Sequence, residues 1–274
     1  MASSRNPEVL GINLSSQYLP RSWLEATRRF LHWLLSIREF NAIYSRLPPC
    51  EPADFPRTYL EAMRVRVEYT GRPIDTIPES GPLVVVANHP FGLIEGFVLD
   101  AMLLSRRPDI AVMAVYLLAA IPELQNRWIF VDPLSNRGKR DFNVRAWRNS
   151  FQLLDRGGAL AVFPSGRVAR FHWRRLSIAD PPWSPHIAAL ARRTDAPVLP
   201  VYIHGRNSWK FQLAGMLCPP LRYPSVIREF NNKRGCTLRA TIGRLIQPDE
   251  LSRFKTDDEA IGFLRRETER LARP

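Results

Sequence analysis

The chain has 274 residues, 45% of them hydrophobic, which is enough for one large packed core and too apolar for a disordered tail protein. Its formal charge of +13 is carried by 39 basic residues, of which only Lys139, Lys210, Lys233 and Lys255 are lysine. Arginine forks grip phosphate and carboxylate bidentately, so anionic partners are expected, whereas three scattered cysteines (Cys50, Cys218, Cys236) give no disulfide framework and no metal site.

Residues 1–21 show no period and are expected to be loosely ordered. An N-terminal helical region is expected over 22–59. Within it, apolar residues recur at helical spacing over 23–47, and Arg28, Arg29, Arg38 and Arg46 share that helix with Trp23 and Trp33. A basic amphipathic helix with tryptophans suits a bilayer interface as well as the flank of its own domain. Residues 48–56 are proline-rich and read as a connector. No basic start with an apolar run and a small-residue cleavage site is visible, so no secretory signal is expected. The longest apolar run, 110–121, falls short of the roughly 20 residues of a membrane span and reads as a core strand entering a helix.

The main body is expected over 60–274. Residues 64–69 alternate as an edge strand does, and 83–88 read as a buried strand. A helix follows Gly92, then strands at 110–116 and 127–131. A helix through Val144, Trp147, Phe151 and Leu154 precedes a strand at 159–163. Ser184-Pro185 signals a helix start, 197–203 a strand and 238–246 a late strand, and Thr256 with Glu259 makes a capping box for the last helix. This alternation predicts an α/β fold: a single domain with a largely parallel central sheet flanked by helices, preceded by the N-terminal amphipathic helix.

Chemistry is expected where strands end. The run Leu83-Val84-Val85-Val86-Ala87-Asn88 delivers His89 at a strand exit, and Glu95 on the next turn can hold one ring nitrogen while the other takes a proton. His204 also ends a strand but has no carboxylate close behind it, and His32, His172 and His186 read as packing or surface residues. A second apolar strand runs into Phe163-Pro164-Ser165-Gly166-Arg167, where Gly166 permits close backbone approach and Arg167 and Arg170 can hold an anion. Gly-x-Ser-x-Gly, the dinucleotide fingerprint and the phosphate loop are all absent, which leaves acid-base chemistry beside an anion site.

These residues resemble the glycerolipid acyltransferases related to bacterial lysophosphatidate acyltransferase. Asn88-His89 through Glu95 is similar to their first block, and Trp128-Ile129-Phe130-Val131-Asp132 to the second. Phe163 to Arg167 is similar to the third, and Val198-Leu199-Pro200-Val201 to the fourth. His89-Pro90-Phe91-Gly92, Pro182-Trp183-Ser184-Pro185 and His204-Gly205-Arg206-Asn207-Ser208-Trp209 resemble the bacterial haemolysin-like branch, whose relatives O-acylate lyso-ornithine lipid. Three departures mark this chain. Five residues rather than four separate His89 from its acidic partner, and Ser165 stands where the family has glutamate. The second block ends in Val131-Asp132-Pro133 in place of a basic residue, with Arg137, Lys139 and Arg140 as substitutes.

The resemblance implies direct acyl transfer from a thioester to a lyso-lipid hydroxyl, of lysophospholipid or lyso-ornithine-lipid type. His89 is then the base and Glu95 its support. Asn88, Gly92, Ser165, Gly166, Arg167 and Arg170 are the expected substrate contacts, with Arg167 on the anionic head and N–H groups near Gly92 or Gly166 serving the oxyanion. No cofactor is implied beyond acyl carrier protein or coenzyme A as the thioester co-substrate. A membrane lipid acceptor and contact with an anionic membrane are implied, which places the protein in the cytoplasm against the inner membrane. A thioesterase using the same base on water, and a basic membrane-binding protein without catalysis, are the other readings; nucleic-acid-binding signatures are not evident.

Overall fold

The computed structural model describes residues 8–11, 21–132, 140–173, 176–217 and 219–273. Of the segment expected to be loosely ordered, 8–11 and 21 are described, and there Leu10 is buried and exchanges two hydrogen bonds with the Asn41 side chain, at 3.0 and 2.8 Å; Arg137, Lys139 and the side chain of Arg140 lie outside the described residues. In chain order, helices α1 (Arg21–Leu34), α2 (Ile37–Ser45) and α3 (Phe55–Ala62) precede β1 (Arg66–Gly71), β2 (Leu83–Ala87), α4 (Ile94–Leu104) and β3 (Ile110–Val115). After two short 3₁₀ turns come β4 (Ile129–Val131), α5 (Arg140–Asp155), β5 (Ala159–Val162) and a hairpin of β6 (Arg170–His172) and β7 (Ser177–Ala179). Then follow α6 (Pro185–Arg193), β8 (Val198–Ile203), α7 (Trp209–Leu217), α8 (Pro219–Asn231), β9 (Thr237–Ile242), α9 (Pro248–Ser252) and α10 (Asp257–Arg270).

Seven strands make one sheet in the order β1-β9-β8-β2-β5-β3-β4, parallel at every junction except β8 with β9. The α/β expectation is therefore borne out. β2 sits between β5 and β8 and is buried at all five positions. Its continuous apolar run has a direct cause: Leu83, Val85 and Ala87 face one core while Val84 and Val86 face another, so neither side of the strand meets water. Each such valine or leucine contributes about 1.5–3 kcal/mol relative to exposure.

The first core is closed by α2, α3, α4 and α8, whose Phe40, Tyr59, Phe97 and Phe230 rings lie 4.9 to 5.7 Å apart in successive pairs. The second is closed by α5, α6, α9 and α10. β1 is the sheet edge that its alternation predicts, and the terminal helix begins with the Thr256–Glu259 capping box. Residues 23–47, by contrast, are two helices rather than one. The backbone turns left-handed at Ser36, which lets α2 bury Ile37, Phe40 and Tyr44 while α1 leaves Trp23, Phe30 and Trp33 outside. Helical periodicity continues across the break, so it carries no sign of it. The run at 110–121 enters a 3₁₀ turn rather than an α-helix. Among the described residues, no helix is long and apolar enough to cross a membrane.

Candidate active site

β2 ends at Ala87, and the chain turns sharply so that His89 faces the first turn of α4. Its Nδ1 is buried and lies 3.3 Å from Glu95 Oε1, within ion-pair distance but without hydrogen-bond alignment, and it has no hydrogen-bond partner among the described residues. Its ring stacks on Phe163, with centroids 4.3 Å apart and planes 18° from parallel, so the imidazole is wedged between the ends of β2 and β5.

Glu95 is fully buried. It accepts the N–H of Phe91 at 2.5 Å and the N–H of Gly92 with both oxygens, at 2.9 and 2.8 Å. Burial opposes ionisation, but the neighbouring His89 and these two backbone donors outweigh it and hold the carboxyl below the usual glutamate range. The extra residue between His89 and Glu95 is absorbed in this turn. Gly92 has φ +110°, and a Cβ there would lie 2.5 Å from Val226 Cγ1. Only glycine fits both demands.

A cavity of about 270 Å³ opens at His89. Its walls are apolar: Met113 and Val115 of β3, Trp128 and Val131 near β4, Trp147 of α5, and Phe163. Trp128 is held by a buried carboxylate, since Asp100 Oδ2 accepts its Nε1–H at 2.5 Å and Asp100 Oδ1 pairs with Arg127 at 3.0 Å. The indole lies on Gly96, where a Cβ would come within 3.0 Å of the ring. At the far side, Asn143 of α5 exchanges two hydrogen bonds with the backbone of Asp132, at 2.9 and 3.0 Å.

The residues expected to bind substrate fare differently. Gly92 and Gly166 line the cavity, but their N–H groups are committed to Glu95 and to Phe163 O, so neither is a free oxyanion donor. Asn88 clamps two strands: its Nδ2 donates to Ile203 O at 2.9 Å and its Oδ1 accepts the Ile203 N–H at 2.7 Å, tying β2 to β8. The Ser165 hydroxyl donates to Arg167 O at 2.9 Å within the turn. Arg167 and Arg170 are exposed and form no ion pair among the described residues. They lie close by in the chain, because the Ala169 N–H donates to His89 O at 2.8 Å. His204, the other strand-end histidine, is 2.8 Å from Thr241 Oγ1 and sits between β8 and β9.

Residue-by-residue reading of the sequence missed Asp180. This buried carboxylate accepts the His89 N–H with both oxygens, at 3.1 and 3.2 Å, and the Trp183 Nε1–H at 3.1 Å. Burial pushes its pKa up, against the pull of His89 and of the two donors. Its one sequence signal is a carboxylate directly before Pro181-Pro182-Trp183.

The histidine, its buried carboxylate and the apolar cavity agree with what comparison of the whole chain finds: residues 15–268 match the model of a family described as Acyltransferase. The chain belongs to this acyltransferase family. A curated relative, the lyso-glycine lipid O-acyltransferase of Phocaeicola vulgatus, is 23% identical over 260 residues, covering 91% of this chain and 87% of that protein. Among solved structures, the 1-acyl-sn-glycerophosphate acyltransferase PlsC from Thermotoga maritima superposes with a TM-score of 0.51 at 19% identity, over 92% of this chain and 93% of that one. The PlsC likeness establishes the shared fold, and in this acyltransferase His89 lines the cavity with the buried Glu95 behind it.

Proposed function

We propose that the protein is an O-acyltransferase that moves a fatty acyl group from a thioester onto the hydroxyl of a lyso-lipid, with His89 as general base. The observation that carries this reading is the 3.3 Å approach of His89 Nδ1 to the ionised, buried Glu95, at the mouth of an apolar cavity. The carboxylate 3.3 Å from Nδ1 favours the tautomer with its proton on that nitrogen, which leaves Nε2 to accept the hydroxyl proton as the oxygen attacks the thioester carbonyl. The tetrahedral intermediate then collapses, the C–S bond breaks, and the imidazolium returns its proton to the departing thiolate. Glu95 supports the cationic ring without taking the proton. The cavity between β3, β4 and α5 suits an acyl chain by its lining.

The acceptor in this reading is a lyso-lipid with an acidic head group of the amino-acid-linked kind. Three things support it: the substrate named for the Phocaeicola vulgatus relative, Ser165 in place of the family's glutamate, and Arg167, exposed beside the site with no ion pair among the described residues. The donor is acyl carrier protein or coenzyme A, both anionic, as the +13 charge of the chain favours.

The test is transfer of radiolabelled palmitoyl from its acyl-carrier-protein and coenzyme A thioesters to lyso-glycine, lyso-ornithine and lysophosphatidate acceptors. His89→Ala is expected to lower the rate by about 10²–10⁴-fold. An unchanged rate would remove His89 as base, and free palmitate formed at full rate without acceptor would make the protein a thioesterase.

A further inference from the structure

Apart from Lys210, helix α7 carries no exposed polar side chain among the described residues. Its Phe211, Gln212 and Gly215 turn inward, while Trp209, Leu213 and Met216, spaced i, i+4 and i+7, are 58%, 54% and 39% exposed. A helix that is apolar on both sides belongs to a setting where both sides are covered. Beside it, the β6–β7 hairpin presents Trp173 and Leu176, 67% and 76% exposed. The two elements form one surface. The Phe171 ring packs 5.2 Å from Trp173 and 5.5 Å from Trp209, and the fully buried Gln212 accepts the Phe171 N–H at 3.1 Å. Five large apolar side chains on one face mark a contact with something outside the chain.

The charge around this face says what that is. From residue 163 to 179, and from 204 to 228, the sequence contains no carboxylate. The next acid, Glu229, is buried and accepts both the N–H and the hydroxyl hydrogen of Ser208 at the start of α7. Arg170, Arg206 and Lys210 are exposed. Arg222 donates to the same Gln212 oxygen as Phe171, at 3.1 Å, which sets its guanidinium beside Arg170; its Nε is buried without a partner. Exposed tryptophans beside the exposed Arg170, Arg206 and Lys210, none of which forms an ion pair among the described residues, match the headgroup layer of an anionic bilayer, where indoles sit at the boundary and cations meet lipid phosphate.

We propose that α7 and the β6–β7 hairpin are the face by which this protein docks on an anionic lipid bilayer. The face adjoins the site, since Val168 packs on Gly92 and Ala169 is bonded to His89 just before β6 begins. A lipid acceptor drawn from the membrane then reaches the histidine without crossing water.

Co-sedimentation with vesicles tests this without any turnover, so its outcome is independent of the reaction proposed above. The protein is expected to bind phosphatidylcholine vesicles containing phosphatidylglycerol, to bind pure phosphatidylcholine poorly, and to release as salt rises. Trp173→Ser with Trp209→Ser should lower vesicle affinity about tenfold or more, while acyl transfer to a short-chain, monomeric acceptor stays unchanged. Arg206→Gln and Lys210→Gln should each weaken the preference for anionic vesicles about fivefold. Because the double tryptophan variant could misfold, brominated-lipid quenching is also read on a Trp23→Phe, Trp33→Phe protein that carries in addition Trp128→Phe, Trp147→Phe and Trp183→Phe, so that Trp173 and Trp209 are the remaining tryptophans; retained quenching is expected. Absence of quenching there, or vesicle binding abolished by the α1 substitutions alone, would overturn the proposal. So would a dimer that the Trp173 and Trp209 substitutions dissociate with vesicle binding intact, since a second copy would then cover this face.

Discussion

Asp180 holds the backbone of His89 from a position 91 residues further along the chain, with each carboxylate oxygen 3.1 to 3.2 Å from the same N–H. Glu95 fixes the ring and Asp180 fixes the main chain that carries it, so the imidazole is located by two buried acids with different tasks. Asp180→Asn keeps one acceptor and the side-chain shape but places an amide where one oxygen was. We expect kcat to fall about tenfold with KM little changed, in line with a loss of about 1.4 kcal/mol in positioning rather than in binding. Equal kcat in parent and variant, measured with saturating donor, would show that the anchor has no catalytic consequence.

Glu95 makes a prediction about stability and pH. Its folded pKa lies below the ordinary 4.5, so the unfolded chain takes up this proton at higher pH than the folded one does. The stability due to the carboxylate is therefore fully present above 4.5 and is lost as pH falls through the lower, folded value. Asp180 and Asp100 are shifted the other way by burial, so their contribution runs opposite in the acid range. Urea unfolding of Glu95→Gln against the parent isolates the Glu95 part: the variant should lose less stability as pH falls from 4.5 through the folded value. Parallel curves would mean that the carboxylate is not held ionised.

Gly96 lies under Trp128, and a Cβ there would come within 3.0 Å of the indole. Gly96→Ala must push the Trp128 wall by a few tenths of an ångström or strain the Asp100 hydrogen bond that holds it. The expected result is a shift of donor preference toward shorter acyl chains, read as relative kcat/KM across a chain-length series. A uniform drop at every length would place the acyl chain elsewhere.

Gly92 combines a left-handed backbone with no space for a side chain, its nearest neighbours being Val226 and Val168. Gly92→Ala should cost about 2–4 kcal/mol in unfolding free energy, from strain and overpacking together. The same change would move the N–H that Glu95 accepts, so activity should fall further than stability alone explains. A variant with the parent's denaturation midpoint would contradict the turn geometry.

Much of the site was legible because its signals are local. A strand buried on both faces must be apolar at successive positions, and its end is marked by the first polar residues, so Leu83 to His89 announces both a central strand and a reactive side chain at its exit. Glu95 lies within one turn and needs no long-range folding to be found. The edge position of β1 and the start of α10 were readable for the same reason, from alternation and a capping box.

What the sequence by itself determined was thus the alternating α/β order, the exit of His89 from a buried strand and the carboxylate one turn later. Only the tertiary structure decided which of the remaining candidates meet. It turned Asn88 to Ile203 and closed the N–H groups of Gly92 and Gly166 to substrate. It also brought Asp180 beneath His89, set Trp128 on Gly96, and left one side of α7 uncovered. The physical reason is that a hydrogen-bond donor or an apolar face carries no address in the chain. Its partner is fixed by which strands lie side by side and what their packing leaves exposed, and in this sheet neighbouring strands come from distant stretches of sequence.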